Sequence, residues 1–123
     1  MTTALVIEDN ENNMELITFI LNTNGVETVM AKNGQEGIEM ALSLKPDFII
    51  LDIQLPDIDG TEVLELLRAT EVGKIIPVIA MTSYAMAGDR EKLLKVGCNG
   101  YIEKPIDPEN VMAQIQQTLA KTK

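Results

Sequence analysis

Five short apolar runs recur along the chain, near residues 4–7, 26–30, 48–51, 76–81 and 100–102. Between them, apolar residues fall at helical spacing. Ala4-Leu5-Val6-Ile7, Phe48-Ile49-Ile50-Leu51 and Val78-Ile79-Ala80-Met81 are unbroken and short, which suits strands buried on both faces. Val26-Glu27-Thr28-Val29-Met30 alternates, as an outer strand does, and Gly100-Tyr101-Ile102 is brief enough for an opposite edge. Strands alternating with helices imply βαβ units and a parallel sheet with helices on both faces.

The helices can be placed by their stops and starts. The first is expected to begin near Asn10, a good N-cap type, to carry Met14, Ile17 and Leu21 on one face, and to end at Asn24-Gly25. In the second, Asn33 and Glu36 have capping-box spacing, Ile38, Ala41 and Leu42 face inward, and Lys45-Pro46 closes it. Asp59-Gly60-Thr61-Glu62 opens a third, with Val63, Leu64 and Leu67 inward, and Asp59 and Glu62 again have capping-box spacing. The fourth, from about Ala85 to Val96, has only Met86, Leu93 and Leu94 to bury against Asp89, Arg90, Glu91, Lys92 and Lys95, so weak anchoring is expected. Gly97 ends it. Asp107-Pro108-Glu109 predicts a sharp start to the fifth, as N-cap, N1 and first-turn acid, with Val111, Ile115 and Leu119 inward.

The three most continuously apolar runs belong in the middle of the sheet. Right-handed crossovers then leave 2-1-3-4-5 as the simplest strand order. The expected architecture is α/β, a flavodoxin-like (βα)5 three-layer sandwich with its crevice where strands 1 and 3 diverge at their carboxyl ends.

Composition narrows the chemistry. The 123 residues make one domain, 46% hydrophobic and 24% charged, with no repeat, low-complexity stretch or linker. A net charge of -9 argues against a nucleic-acid surface, and the absence of histidine removes imidazole catalysis and His-rich metal sites. The single cysteine, Cys98, cannot form an internal disulfide, which fits a reducing setting. It reads as a small helix-end residue, with no histidine to activate it as a nucleophile. The start MTTALVIEDN shows no basic segment followed by a long apolar one, so no membrane span and a cytoplasmic location are expected.

Glu8-Asp9 follows the first strand and Asp52 ends the third, so three carboxylates meet at the crevice. They would repel one another unless protonated or bridged by a hard cation. Oxygen ligands of this kind suit Mg²⁺, which keeps several waters and takes a phosphate oxygen as a further ligand. Thr82 ends the fourth strand and adds a hydroxyl; Lys104 follows the fifth and adds a fixed positive charge. A carboxylate, a magnesium ion, a lysine and a hydroxyl together can stabilise a phosphoryl group on the carboxylate, and Asp52, ending the central strand, is the natural acceptor. Taken singly, each residue has a plainer reading: an aspartate after a strand is often a loop or cap residue, an acidic pair can serve a helix start, and Tyr101 can be an edge-strand aromatic. Five polar residues ending four strands are harder to explain as caps.

Val6-Ile7-Glu8-Asp9-Asn10, Leu51-Asp52-Ile53-Gln54-Leu55-Pro56 with Asp59-Gly60, Met81-Thr82-Ser83 and Lys104-Pro105 together resemble a bacterial two-component response-regulator receiver domain (CheY-like) over the whole chain. The opening, the Ala85–Asp89 segment and the ending GCNGYIEKPI look most like DivK-type single-domain receivers and receivers of hybrid kinases. The resemblance implies that Asp52 accepts phosphate from a histidine kinase or histidine phosphotransfer protein. It implies that Asp9, Asp52 and the Gln54 carbonyl hold Mg²⁺, with Glu8 acting through water. It further implies that Thr82 and Lys104 contact the phosphoryl oxygens, that Thr82 and Tyr101 switch together, and that the Lys104-Pro105 peptide is cis. Gln54 and Tyr84 occupy the two positions that tune dephosphorylation in the family; Glu8 stands where many receivers have Asp. The expectation is a monomeric single receiver domain, residues 1–123, without an output domain. It would catalyse only its own phosphorylation and dephosphorylation and would signal to a downstream protein through helix 4, strand 5 and helix 5. A phosphorelay shuttle and an aspartyl-phosphate hydrolase are the alternatives. The hydrolase reading lacks the second acid of a DxD motif, since Gln54 stands there, and its nucleophile would fall on the wrong strand. A nucleotide-binding flavodoxin-like protein is less favoured still, because strand 1 ends in carboxylates rather than a Gly-rich cradle.

Overall fold

The computed structural model describes residues 2–83 and 87–121. In chain order the elements are β1 (Thr3–Ile7), α1 (Glu11–Thr23), β2 (Glu27–Ala31), α2 (Gly34–Leu44), β3 (Phe48–Asp52), α3 (Gly60–Arg68), β4 (Val78–Thr82), α4 (Ala87–Val96), β5 (Gly100–Glu103) and α5 (Val111–Lys121). The strands form one sheet in the order β2-β1-β3-β4-β5, every neighbouring pair parallel. This is the flavodoxin-like order the burial pattern predicts.

Alternation along the strands divides the core into two layers. Ala4, Val6, Phe48, Ile50, Ile79, Met81 and Ile102 pack beneath α1 and α5, against Met14, Ile17, Leu21, Val111 and Ile115. Leu5, Ile7, Ile49, Leu51, Val78 and Ala80 pack on the other face beneath α2, α3 and α4, against Ala41, Val63, Leu64, Leu67 and Leu93. β3 and β4 are buried throughout, whereas β2 and β5 expose part of their length.

The helix starts follow the expected residues with some changes of partner. Asn10 Oδ1 accepts from Asn13 N at 3.0 Å, and Asn33 Oδ1 from Glu36 N at 2.9 Å. Asp59 Oδ1 turns instead to Thr61, accepting from its amide at 2.8 Å and its hydroxyl at 2.7 Å. Gly60 lies tight against the backbone of β3: a Cβ there would fall 2.5 Å from Ile53 Cα and 2.7 Å from Asp52 O. Only glycine lets α3 start so close to the end of the central strand.

Two expectations need correction. α5 begins at Val111, because residues 108–110 form a turn in which Asn110 N and Val111 N both donate to Asp107 O. Leu94 is 50% exposed, so of the named anchors of α4 Leu93 is the buried one; Met86, Tyr84 and Ala85 lie outside the described residues. α2 closes at Lys45-Pro46 as expected, with Lys45 in a left-handed conformation (φ 50°).

A guanidinium locks the end of the sheet opposite the strands' carboxyl ends. Arg68 donates to Gly97 O through Nε (3.0 Å) and Nη2 (2.8 Å), to Asn99 Oδ1 through Nη2 (2.9 Å), and to Gly73 O (2.5 Å) and Ile76 O (2.8 Å) through Nη1. Asn99 Oδ1 also accepts from Val78 N at 2.8 Å. One side chain thus joins the end of α3 to the approach to β4 and to the hinge between α4 and β5, where Gly97 has φ +120°. Cys98 is buried in this corner.

Candidate functional site

Strand register brings the polar ends together. Ile7 pairs with Leu51, so Glu8 and Asp52 come next at one level. Asp52 pairs with Met81 and Thr82 with Glu103, which places Lys104 just past the same edge. Continuing each strand's alternation sends Glu8, Asp52 and Lys104 toward the α1/α5 layer, and Thr82 and Tyr101 toward the α4 side.

Glu8, Asp52 and Thr82 are 1%, 2% and 2% exposed; Asp9 and the Gln54 side chain face solvent. Lys104 Nζ lies 3.0 Å from Asp52 Oδ1 and 3.4 Å from both Glu8 carboxylate oxygens. Gln54 N donates to Asp52 Oδ1 at 3.0 Å, an Asx-type turn that folds the segment after β3 over the carboxylate. One oxygen each from Glu8, Asp9 and Asp52 lies within 4.8 Å of the others. The Lys104-Pro105 peptide is cis. Tyr101 is half-buried on β5.

Burial, and then the charge of Asp52, push the Glu8 carboxyl up to about 7; Lys104 and the Asn13 amide pull the other way. Two buried acids held by one lysine are short of positive charge. Glu8 Oε2 is buried without a hydrogen bond, its contact being the 3.4 Å approach of Lys104. An all-oxygen donor set with an unsatisfied acceptor fits a hard divalent cation.

Two contributors escaped the pattern. Asn13 Nδ2 reaches Glu8 Oε1 at 3.3 Å from the first turn of α1. Asp57 accepts from Gly34 N at 2.8 Å and Gln35 N at 2.9 Å, joining the segment after β3 to the start of α2. Asn13 lies five positions after Glu8, a spacing with no helix or strand period to betray it.

Residues 4–116 match the response regulator receiver domain. The chain belongs to that family. The receiver domain is 40% identical over 116 residues to the polar-differentiation response regulator DivK of Brucella anthropi, covering 94% of each chain. It is similar to the receiver domain of a sensor histidine kinase from Pseudomonas aeruginosa, with 31% identity, a TM-score of 0.87 and 97% and 98% of the two chains covered; that protein is described with a magnesium ion coordinated in its active-site cleft. The chemotaxis response regulator CheY4 of Vibrio cholerae shares the fold, with a TM-score of 0.91 at 24% identity over 96% of this chain and 98% of that one. No helix among the described residues of the receiver domain is long and apolar enough to cross a membrane.

Proposed function

We propose that this receiver accepts a phosphoryl group on Asp52 from a phosphohistidine donor, a histidine kinase or histidine phosphotransfer protein, and signals by altering a protein-binding surface. The observation that carries the reading is the Lys104 ammonium 3.0 Å from Asp52 Oδ1, where Glu8 and Asp9 converge. Asp9, Asp52 and the Gln54 carbonyl would hold Mg²⁺ directly and Glu8 through water. Bound there, the ion would offset the charge of the acids and of the phosphoryl oxygens.

An Asp52 carboxylate oxygen attacks phosphorus while the donor's P–N bond breaks, its electron pair staying on the imidazole nitrogen. Lys104 balances the charge on the transferred oxygens, and the Thr82 hydroxyl donates to one of them. Phosphorylation then biases a two-state equilibrium on the α4 side, where Thr82 and Tyr101 share a face. The surface proposed to engage a downstream protein includes a cavity of about 520 Å³ lined by Leu94, Tyr101, Glu103, Gln114, Thr118 and Lys121. The DivK relative is matched over 94% of its own length, which supports output by binding through the receiver fold itself.

Intact mass after incubation with acetyl phosphate tests the acceptor. A Mg²⁺-dependent phosphoryl adduct forms on the wild type and is lost in Asp52→Asn; an adduct that survives the substitution overturns the assignment.

A further inference from the structure

The segment between β3 and α3 has no regular structure, so point contacts set its shape. Ile53 N is tied to Met81 O at 3.1 Å, and Gln54 N to Asp52 Oδ1 at 3.0 Å. Pro56 has no N–H to give. Asp59 and Gly60 already belong to the start of α3. Between these anchors stands Asp57, whose two oxygens grip the amides of Gly34 and Gln35, 23 and 22 residues earlier in the chain.

We infer that Asp57 is a positioning residue for the site at Asp52: by holding the first two amides of α2 it fixes the segment that presents Gln54 to the phosphoacceptor and its cation. The first amides of a helix have no partner inside it and carry the positive end of its dipole, so a carboxylate fits them well. α2 already has a local cap in Asn33, which takes Glu36 N. A second cap delivered from beyond β3 couples the helix to the segment that carries it. Two contacts to one planar carboxylate fix its orientation as well as its distance. Packing runs the same way: Ile58 sits so close to Gly34 that a Cβ there would overlap its side chain. Losing Asp57 frees residues 55–58 to swing, and Gln54, whose amide faces Asp52 and whose carbonyl is assigned to the cation, swings with them. The metal part of this inference rests on the proposed cation site.

The test compares wild type, Asp57→Ala and Asn33→Ala by Mg²⁺ calorimetry and by amide hydrogen exchange of the metal-free protein. Asp57→Ala is expected to weaken Mg²⁺ binding about tenfold and to speed exchange at Gln54 as well as at Gly34 and Gln35. Asn33→Ala, which removes a cap without touching the segment, is expected to loosen Glu36 and leave both Gln54 and Mg²⁺ affinity unchanged. Unaltered Gln54 exchange in Asp57→Ala overturns the inference, and so does an equal loss of affinity in Asn33→Ala, which would mark a plain effect of helix stability. Should Asp57→Ala fail to fold, Asp57→Asn, which keeps one acceptor oxygen, is read on the same two measurements. If the wild type binds no Mg²⁺, the cation site fails, and Gln54 exchange in the metal-free protein still decides whether Asp57 holds the segment.

Discussion

Glu8 is where the electrostatics of the site can be read most directly. Its carboxyl stands at about 7 against an ordinary 4.5, chiefly through burial and then through Asp52. Between those two values the folded, metal-free protein keeps a proton that the unfolded chain has released. The contribution of Glu8 to stability is therefore full below pH 4.5 and falls as pH rises through about 7. A cation held at the proposed site would compete with that proton. Mg²⁺ affinity is expected to rise about tenfold from pH 6 to pH 8, with proton release on binding at pH 6. Calorimetry in buffers of different ionisation enthalpy measures both, and Glu8→Gln should flatten the dependence. That Glu8, Asp9, Asp52, Thr82 and Lys104 share one edge of the sheet was legible in the sequence because each stands at or just past the end of an apolar run, and the strand order aligns those ends. Asn13 and Asp57 were not, because each acts across a gap between elements that no spacing encodes.

Among the elements, the strands could be read most fully, since burial on two faces leaves an unbroken apolar signature. The helix ends were harder, because several residues compete for each terminal amide. Asp107-Pro108-Glu109 has the composition of a helix start and Asp107 Oδ1 does accept from Glu109 N at 3.1 Å, yet residues 108–110 form a turn and regular α-helix waits until Val111. Lys45 holds the left-handed conformation usually left to glycine. Lys45→Gly should therefore stabilise the fold by about 0.5–1 kcal/mol, measured by urea unfolding. Arg68 carries the opposite expectation. Arg68→Met leaves the carbonyls of Gly73, Ile76 and Gly97 without their donor and should cost about 2 kcal/mol in the same experiment. An unchanged midpoint would show that solvent replaces the guanidinium freely.

For the molecule as a whole, the candidate site and mechanical anchorage sit at opposite ends of one parallel sheet. The carboxyl ends of the strands gather like charges, which weaken the fold, while the far end is bolted by Arg68. Mg²⁺ should recover some of that stability: at a hundred times its dissociation constant it contributes about 2.7 kcal/mol, a rise of about 10 °C in Tm for a domain of this size. Thermal unfolding followed by circular dichroism should show the rise in the wild type and its loss in Asp9→Asn. The bolted corner also holds the chain's one thiol. Cys98 is 5% exposed, and burial raises its pKa, so in the closed protein it is both shielded and poorly ionised. Labelling it requires an opening of the corner around the turn between α4 and β5. The rate at which a thiol reagent labels the native protein is thus a stopwatch on that opening, built into the natural sequence and needing no introduced probe.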